Sequence, residues 1–175
     1  MLFRSMLRLT AFDDSVDEVH GFRPLSACDL ASYDGSIQIG GTTALYDGAV
    51  NIISSVTQYG STLSQNAFSV NGIIFVITDG MDNASSADAN AVGKALKEAV
   101  TSEALESILS VLVGVNVSGD ALSLYLNRLR KDAGFNHYIE LADADASALS
   151  KLATFVSHSI ASQSRALGSG GPPPS

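Results

Sequence analysis

The chain holds one cysteine, Cys28, among 175 residues, which excludes an intrachain disulfide and any cysteine-ligated metal cluster. Basic residues are also scarce: ten Lys and Arg stand against 18 Asp and Glu, a net charge of −8. That balance makes nucleic acid and anionic membrane poor partners, and an acidic surface also keeps a protein in solution. No apolar run reaches membrane-spanning length, so no membrane insertion is expected. Met1–Leu9 has neither the sustained apolar core nor the small-residue cleavage site of a signal peptide. The lone cysteine and the lack of a signal lean towards the cytoplasm without fixing a compartment.

The signatures of catalysis are missing too. There is no Gly-x-Ser-x-Gly elbow. The glycine-rich stretch Gly40-Gly41-Thr42-Thr43 lacks the Gly-Lys-Ser/Thr ending of a phosphate-binding loop. His20, His137 and His158 show no metal-ligand spacing. A phosphatase with an aspartyl nucleophile needs Asp-x-Asp, but Ile77 and Met81 flank Asp79 at two residues on either side. No enzymatic activity is expected, and a phosphoester-processing enzyme is the weakest reading.

What is present centres on Asn71–Asn83. The run Ile73–Ile77 is too short to span a membrane and too β-branched for a helix, so it reads as a strand buried on both faces and paired on both sides. It ends in Thr78-Asp79-Gly80, a polar turn at the carboxyl end of the strand, where open α/β sheets place their ligands. A hydroxyl and a carboxylate delivered there suit a hard cation. Asp79 and Asp82 equally suit capping of the next helix.

At this length the chain is one domain able to bury a core. Met6–Phe12 and Val16–Phe22 read as a hairpin around the turn Asp13-Asp14-Ser15, with Asp17, Glu18 and His20 keeping an edge polar and Pro24 closing it. Ser26–Tyr33 reads as a short helix capped by Ser26, and Asp34–Thr43 as a loop. Ala44–Tyr59 carries Leu45, Ala49, Ile52, Ile53 and Val56 at helical spacing, with Gly60 as the stop of that helix or of its first half. Ser61–Val70 reads as a connector, or as a brief continuation of that helix before one. After the Ile73–Thr78 strand, Ala91–Leu105 is an amphipathic helix, Ile108–Val115 a second apolar strand, and Ser118–Ala133 a helix ended by Gly134. Asn136–Leu141 is a strand, Asp143–Ser162 the last helix, and Gly168–Ser175 a linker or loose tail. The alternation predicts an α/β fold: a Rossmann-like three-layer sandwich with a mainly parallel sheet, one antiparallel edge strand and helices on both faces.

Two stretches, Gly41-Thr42-Thr43-Ala44-Leu45-Tyr46-Asp47-Gly48 and Thr78-Asp79-Gly80-Met81-Asp82-Asn83, together with this element order, resemble the von Willebrand factor A domain family from Leu7 to about Ser162. The resemblance implies a divalent cation, Mg²⁺ or else Mn²⁺ or Ca²⁺, held at the carboxyl end of the sheet. Thr43 matches the family's threonine ligand and Asp79 its aspartate. Thr42, Asp82, Asn83, Asp13 and Asp14 would line the binding face or reach the ion through water, although turn formation and capping account for them as well. The implied function is a protein-binding module whose partner presents an Asp or Glu to the cation. Further domains of its own chain are also candidate partners. The last helix, Asp143–Ser162, would be the one that family members move.

The family's Asp-x-Ser-x-Ser motif, which follows its first strand, is absent; Asp13-Asp14-Ser15-Val16-Asp17 has the wrong spacing. The expectation is therefore an N-terminally truncated domain over 6–163, a tail over 164–175, and a non-native start over Met1–Ser5, whose Leu2-Phe3-Arg4-Ser5 matches what a common sequencing adapter encodes. With Thr43 and Asp79 supplying two of about six oxygens, cation binding is expected to be weak. The missing strand would lie between Met6–Phe12 and Gly72–Thr78, so those two are expected either to pair directly or to leave the fold marginal. A metal-independent interaction module with a degenerate site is the alternative.

Overall fold

A computed structural model describes residues 5–35, 40–117, 119–142 and 146–169. In chain order it holds strands β1 (Met6–Phe12) and β2 (Val16–Pro24), 3-10 turns at Leu25–Ala27 and Leu30–Tyr33, and helix α1 (Leu45–Gln65). Strand β3 (Asn71–Thr78), helix α2 (Ala89–Thr101), strand β4 (Ser107–Val115), helix α3 (Asp120–Ala133), strand β5 (His137–Leu141) and helix α4 (Ala146–Ser169) follow. The fold is α/β, but its described strands form two sheets rather than one: an antiparallel pair β1–β2 and a parallel sheet β3–β4–β5. The expected direct pairing of β1 with β3 does not occur among the described residues.

The parallel sheet explains which strand is central. β4 pairs with β3 along its length, from Asn71↔Ser107 to Thr78↔Gly114, and with β5 on its other side. Five successive β4 residues, Ser110 to Gly114, are buried, the pattern of a strand covered on both faces. β3 alternates instead: Gly72, Ile74, Val76 and Thr78 are buried, while Ile77 is 49% exposed. The expectation that Ile73–Ile77 is buried on both faces and paired on both sides is thus corrected. An apolar pentapeptide suits either place; the number of neighbouring strands decides.

The main core gathers Leu45, Ala49 and Ile53 of α1, Ile74 and Val76 of β3, Val92 and Leu96 of α2, Leu112 of β4 and Leu126 of α3. A smaller cluster places Val111, Val113 and Leu141 with Phe75, Leu109 and Ile139, packed by Leu152 and Phe155 of α4. Adjacent β4 residues thus feed separate clusters, as period-two alternation requires.

Several boundaries differ from the sequence reading. α1 does not stop at Gly60 but continues briefly into the Ser61–Val70 segment, to Gln65, the second of the two expected outcomes. Gly60 is buried, and a Cβ there would lie 2.5 Å from Leu105 Cδ2 and 3.0 Å from the Ala104 carbonyl oxygen, so the glycine allows a close approach rather than ending the helix. α2 begins at Ala89, where Asp88 accepts the Ala91 N–H at 2.9 Å, and ends at Thr101 rather than Leu105. Ser26 caps nothing; the segment forms two 3-10 turns, the second capped by Asp29, which accepts from the Ala31 N–H. α3 is preceded by Gly119 (φ +104°) and closed by left-handed Gly134, as expected for that stop. α4 continues to Ser169, past Ser162; the expected start at Asp143, the cap residue Ser118, most of the Met1–Ser5 start and the tail end 170–175 lie outside the described residues.

The hairpin corrects one more expectation. His20 is buried, not part of a polar edge, because Tyr33 packs over it: the Tyr33 hydroxyl and His20 Nε2 are 2.8 Å apart, and His20 Nδ1 lies 2.8 Å from the Gly21 carbonyl oxygen. Asp17 and Glu18 are exposed as expected. The hairpin rests on α1, with Phe22 stacked on Tyr59 at 4.1 Å and Phe12 so close to Gly48 that a Cβ there would fall 2.7 Å from its ring.

Candidate functional site

The start of α1 is where the two motif stretches meet. The Ala44 N–H donates to the Asp13 carbonyl oxygen (2.6 Å), which ties the α1 start to the end of β1. On the other side, the Thr43 N–H donates to Asn83 Oδ1 (2.7 Å) and the Thr43 carbonyl accepts the Asn83 N–H (3.0 Å). Thr43 Oγ1 lies 3.1 Å from where a Gly80 Cβ would stand, so the threonine hydroxyl abuts the Thr78–Gly80 turn. A side chain at position 80 would crowd it. That turn is closed by Thr78, whose hydroxyl accepts the Gly80 N–H (3.2 Å) and lies 3.1 Å from the Gly80 carbonyl.

Asp79 is exposed at the tip of this turn, and Thr43 is half-buried beside it. Thr42 is exposed one residue earlier. Asp13 also belongs to this end of the molecule: its carboxylate stands against Gly40, where a Cβ would approach Oδ2 to 2.8 Å. A hydrogen bond shared with the Asp14 side chain, and then the Ser15 N–H, hold the Asp13 carboxyl below its usual range. Asp14 is exposed next to it. Sequence residues named for one site, Thr43, the Thr78–Gly80 turn, Asp13 and Asn83, are thus brought to one end of the fold.

Asp82 and Asn83 have defined structural tasks there. Asp82 does not cap the helix that follows it. Its Oδ1 accepts the Tyr46 N–H at the start of α1 (3.2 Å) and the Ser85 hydroxyl (2.5 Å). Ser85 Oγ in turn accepts the Asp47 N–H (3.0 Å). The Asp47 carboxylate, placed in the first turn of α1, accepts the Ser86 and Ala87 N–H groups at 2.9 and 2.8 Å. Negative charge at a helix start is favourable by itself, and here it also fastens the β3–α2 loop.

Tyr125 completes the arrangement and was not foreseen. Its hydroxyl shares a 2.5 Å hydrogen bond with the Tyr46 hydroxyl and accepts the Asp82 N–H (3.2 Å). Burial, then the bond to Tyr46, push its ionisation above the ordinary tyrosine range, so it stays a neutral donor and acceptor. It comes from α3, 79 residues from Tyr46. No local spacing in the sequence signals that contact.

Among the described residues there is no group of three or more His, Cys, Asp and Glu side chains that could hold a metal ion. The donors here are hard oxygens, a hydroxyl and an exposed carboxylate, which suit Mg²⁺ or Ca²⁺ in kind but supply a minority of the six or more oxygens such ions take. No protein-family model matches the chain, and no curated protein matches it.

Proposed function

We propose that the chain is a protein-binding module of the von Willebrand factor A type, with its strands and helices forming part of a Rossmann-like three-layer sandwich. In this reading Thr43 and Asp79 contribute oxygens to a weakly held divalent cation at the carboxyl end of the parallel sheet. The partner's Asp or Glu carboxylate then occupies part of the coordination shell that the protein leaves to water. The cation supplies positive charge for that carboxylate; the protein supplies a rigid strand end and a buried helix start. The observation that carries the reading is the contact of the Thr43 hydroxyl with Gly80, which joins the two motif stretches at one place.

The test is a calorimetric titration with Mg²⁺ and with Mn²⁺, repeated on Asp79→Ala and Thr43→Ala. Saturable binding, weakened at least about tenfold in both variants, supports the reading. Binding that survives both substitutions, or none at millimolar ion, removes it.

A second reading is favoured by a separate observation: Asp82 and Asn83 already spend side-chain oxygens on backbone N–H groups of Tyr46 and Thr43. On this account the end of the sheet is a structural latch, and partners are bound without metal. Partner capture unaffected by chelator would favour it. Turnover of a phosphoester would instead point to an enzyme.

A further inference from the structure

A concavity of about 310 Å³ opens beside the amino ends of β3 and β4, at the opposite end of the parallel sheet from the Thr78–Gly80 turn. One wall is the end of α1 with the segment 67–70, and the other carries Glu103 and Glu106, just past α2. The Glu106 N–H donates to the Val70 carbonyl (2.8 Å) and so joins the two walls. Leu105 turns inward between the acids, buried where a Cβ on Gly60 or Gly72 would meet it, while Glu103 and Glu106 stay exposed. Small-molecule pockets run from about 300 to 1,000 Å³. This one has room for a group the size of a single side chain.

The backbone sets an aromatic ring on this concavity. α1 closes with the Phe68 N–H on the Leu63 carbonyl (3.1 Å) and the Ala67 N–H on the Ser64 carbonyl (2.9 Å), around Ala67 at φ +62°. In such a close the residue after the left-handed one commonly packs back on the helix. Here that residue is Phe68, and it is 60% exposed. The surrounding charge is all of one sign. Neither α1 nor α2 has a basic residue in its last turn, where a cation would complement the negative end of the helix. The ion pairs among the described residues are Arg8–Glu18 and Lys94–Glu98, so Glu103 and Glu106 have none. An aromatic face and two unpaired carboxylates thus line one small recess, in a chain of net charge −8.

We infer that this recess receives an arginine side chain presented by a second polypeptide. A planar guanidinium forks onto a carboxylate and stacks on an aromatic face, whereas a lysine ammonium acts as a point charge. The acids that attract the guanidinium repel the α-carboxylate of free arginine, so the occupant is a residue within a chain. The site needs no metal and shares no residue with Thr43 and Asp79.

The probe is arginine capped as its N-acetyl, N-methylamide derivative, titrated into the whole nitrogen-15-labelled chain with a chelator present. The expected result is saturable movement of amide signals in segments 64–70 and 103–106, with those of Thr43 and 78–83 still. The capped citrulline analogue, which has the same shape without the charge, should move nothing. Capped lysine and free arginine should each bind about threefold more weakly or worse. Replacing both acids, Glu103→Gln with Glu106→Gln, should weaken the capped arginine by at least about tenfold. Phe68→Ala should weaken it about two- to fivefold. All three side chains are exposed, and thermal melting confirms that the variants are folded. The inference is overturned by no saturable movement at millimolar probe, by equal movement with citrulline, or by movement confined to other segments. Undiminished binding in the double variant overturns it too, as does free arginine or spermidine binding as tightly as the capped residue.

Discussion

The hairpin β1–β2 and the parallel sheet β3–β4–β5 sit in different physical regimes: the hairpin carries Arg8, Asp17, Glu18 and Arg23, whereas β3 and β4 hold no charged residue. Every β1 residue is half-buried, whereas β4 has a continuous buried run from Ser110 to Gly114. β4 is flanked by two strands and feeds two apolar clusters. The hairpin has α1 against it and depends on Phe12, Phe22 and Tyr59 for its attachment. A two-stranded ribbon is marginal by itself. Burial rises here with both the apolar content of a strand and the number of layers around it.

The comparison is sharpest under truncation. Leu112→Ala, at a fully buried position in β4, is expected to cost about 2–5 kcal/mol, whereas Leu9→Ala in β1 should cost about 1 kcal/mol or less. Denaturant unfolding of the two variants checks this, and equal losses would break the contrast. Next comes overpacking on the sheet side. Gly60→Ala pushes a methyl against Leu105 and the Ala104 carbonyl, and a loss of about 1–3 kcal/mol should appear in the same measurement. A smaller effect, about 0.5–2 kcal/mol, is expected for Asp82→Ala, which strips a cap from α1 and a partner from Ser85. Thermal melting reads it, and a neutral result would mean the latch contributes nothing.

The smallest effects are pH-dependent and have opposite signs in the two regions. Tyr125 and Tyr138 on the sheet side ionise above their ordinary value, chiefly because they are buried. The folded state keeps a proton that the unfolded chain loses, so this stability is complete below about pH 10 and falls as the pH rises beyond it. Asp13 at the hairpin turn titrates below its ordinary value, so its contribution is present above about pH 4 and disappears on acidification. Tyr125→Phe should flatten the alkaline limb, and Asp13→Asn the acid one, in melts taken across pH.

Periodicity made most of this fold legible in advance. The spacing of Leu45, Ala49 and Ile53 made α1 legible, because a helix must bury one face whatever it packs against. The strands were legible as strands but not as neighbours. Ile73–Ile77 could not reveal that β3 has one partner, since pairing is decided by distant segments. Gly60 looked like a stop because its packing partner, Leu105, lies beyond α2 in sequence. His20 looked like edge polarity because its contact with Tyr33, 13 residues away, is tertiary and leaves no local signal. At the candidate site, the proximity of Thr43 to the Thr78–Gly80 turn was legible from two short motifs. The part played by Tyr125 was not, because it rests on a tertiary contact from α3.

The paired bonds between Thr43 and Asn83, with the Asp47 and Asp82 carboxylates reaching across the same seam, weld the first turn of α1 to the β3–α2 loop. A helix of 21 residues extends roughly 30 Å, and its far half is wedged against Leu105 through the bare backbone of Gly60. It therefore behaves as a strut clamped near both ends: a push at the Thr78–Gly80 tip has little slack to absorb it before reaching the segment that leads into β4.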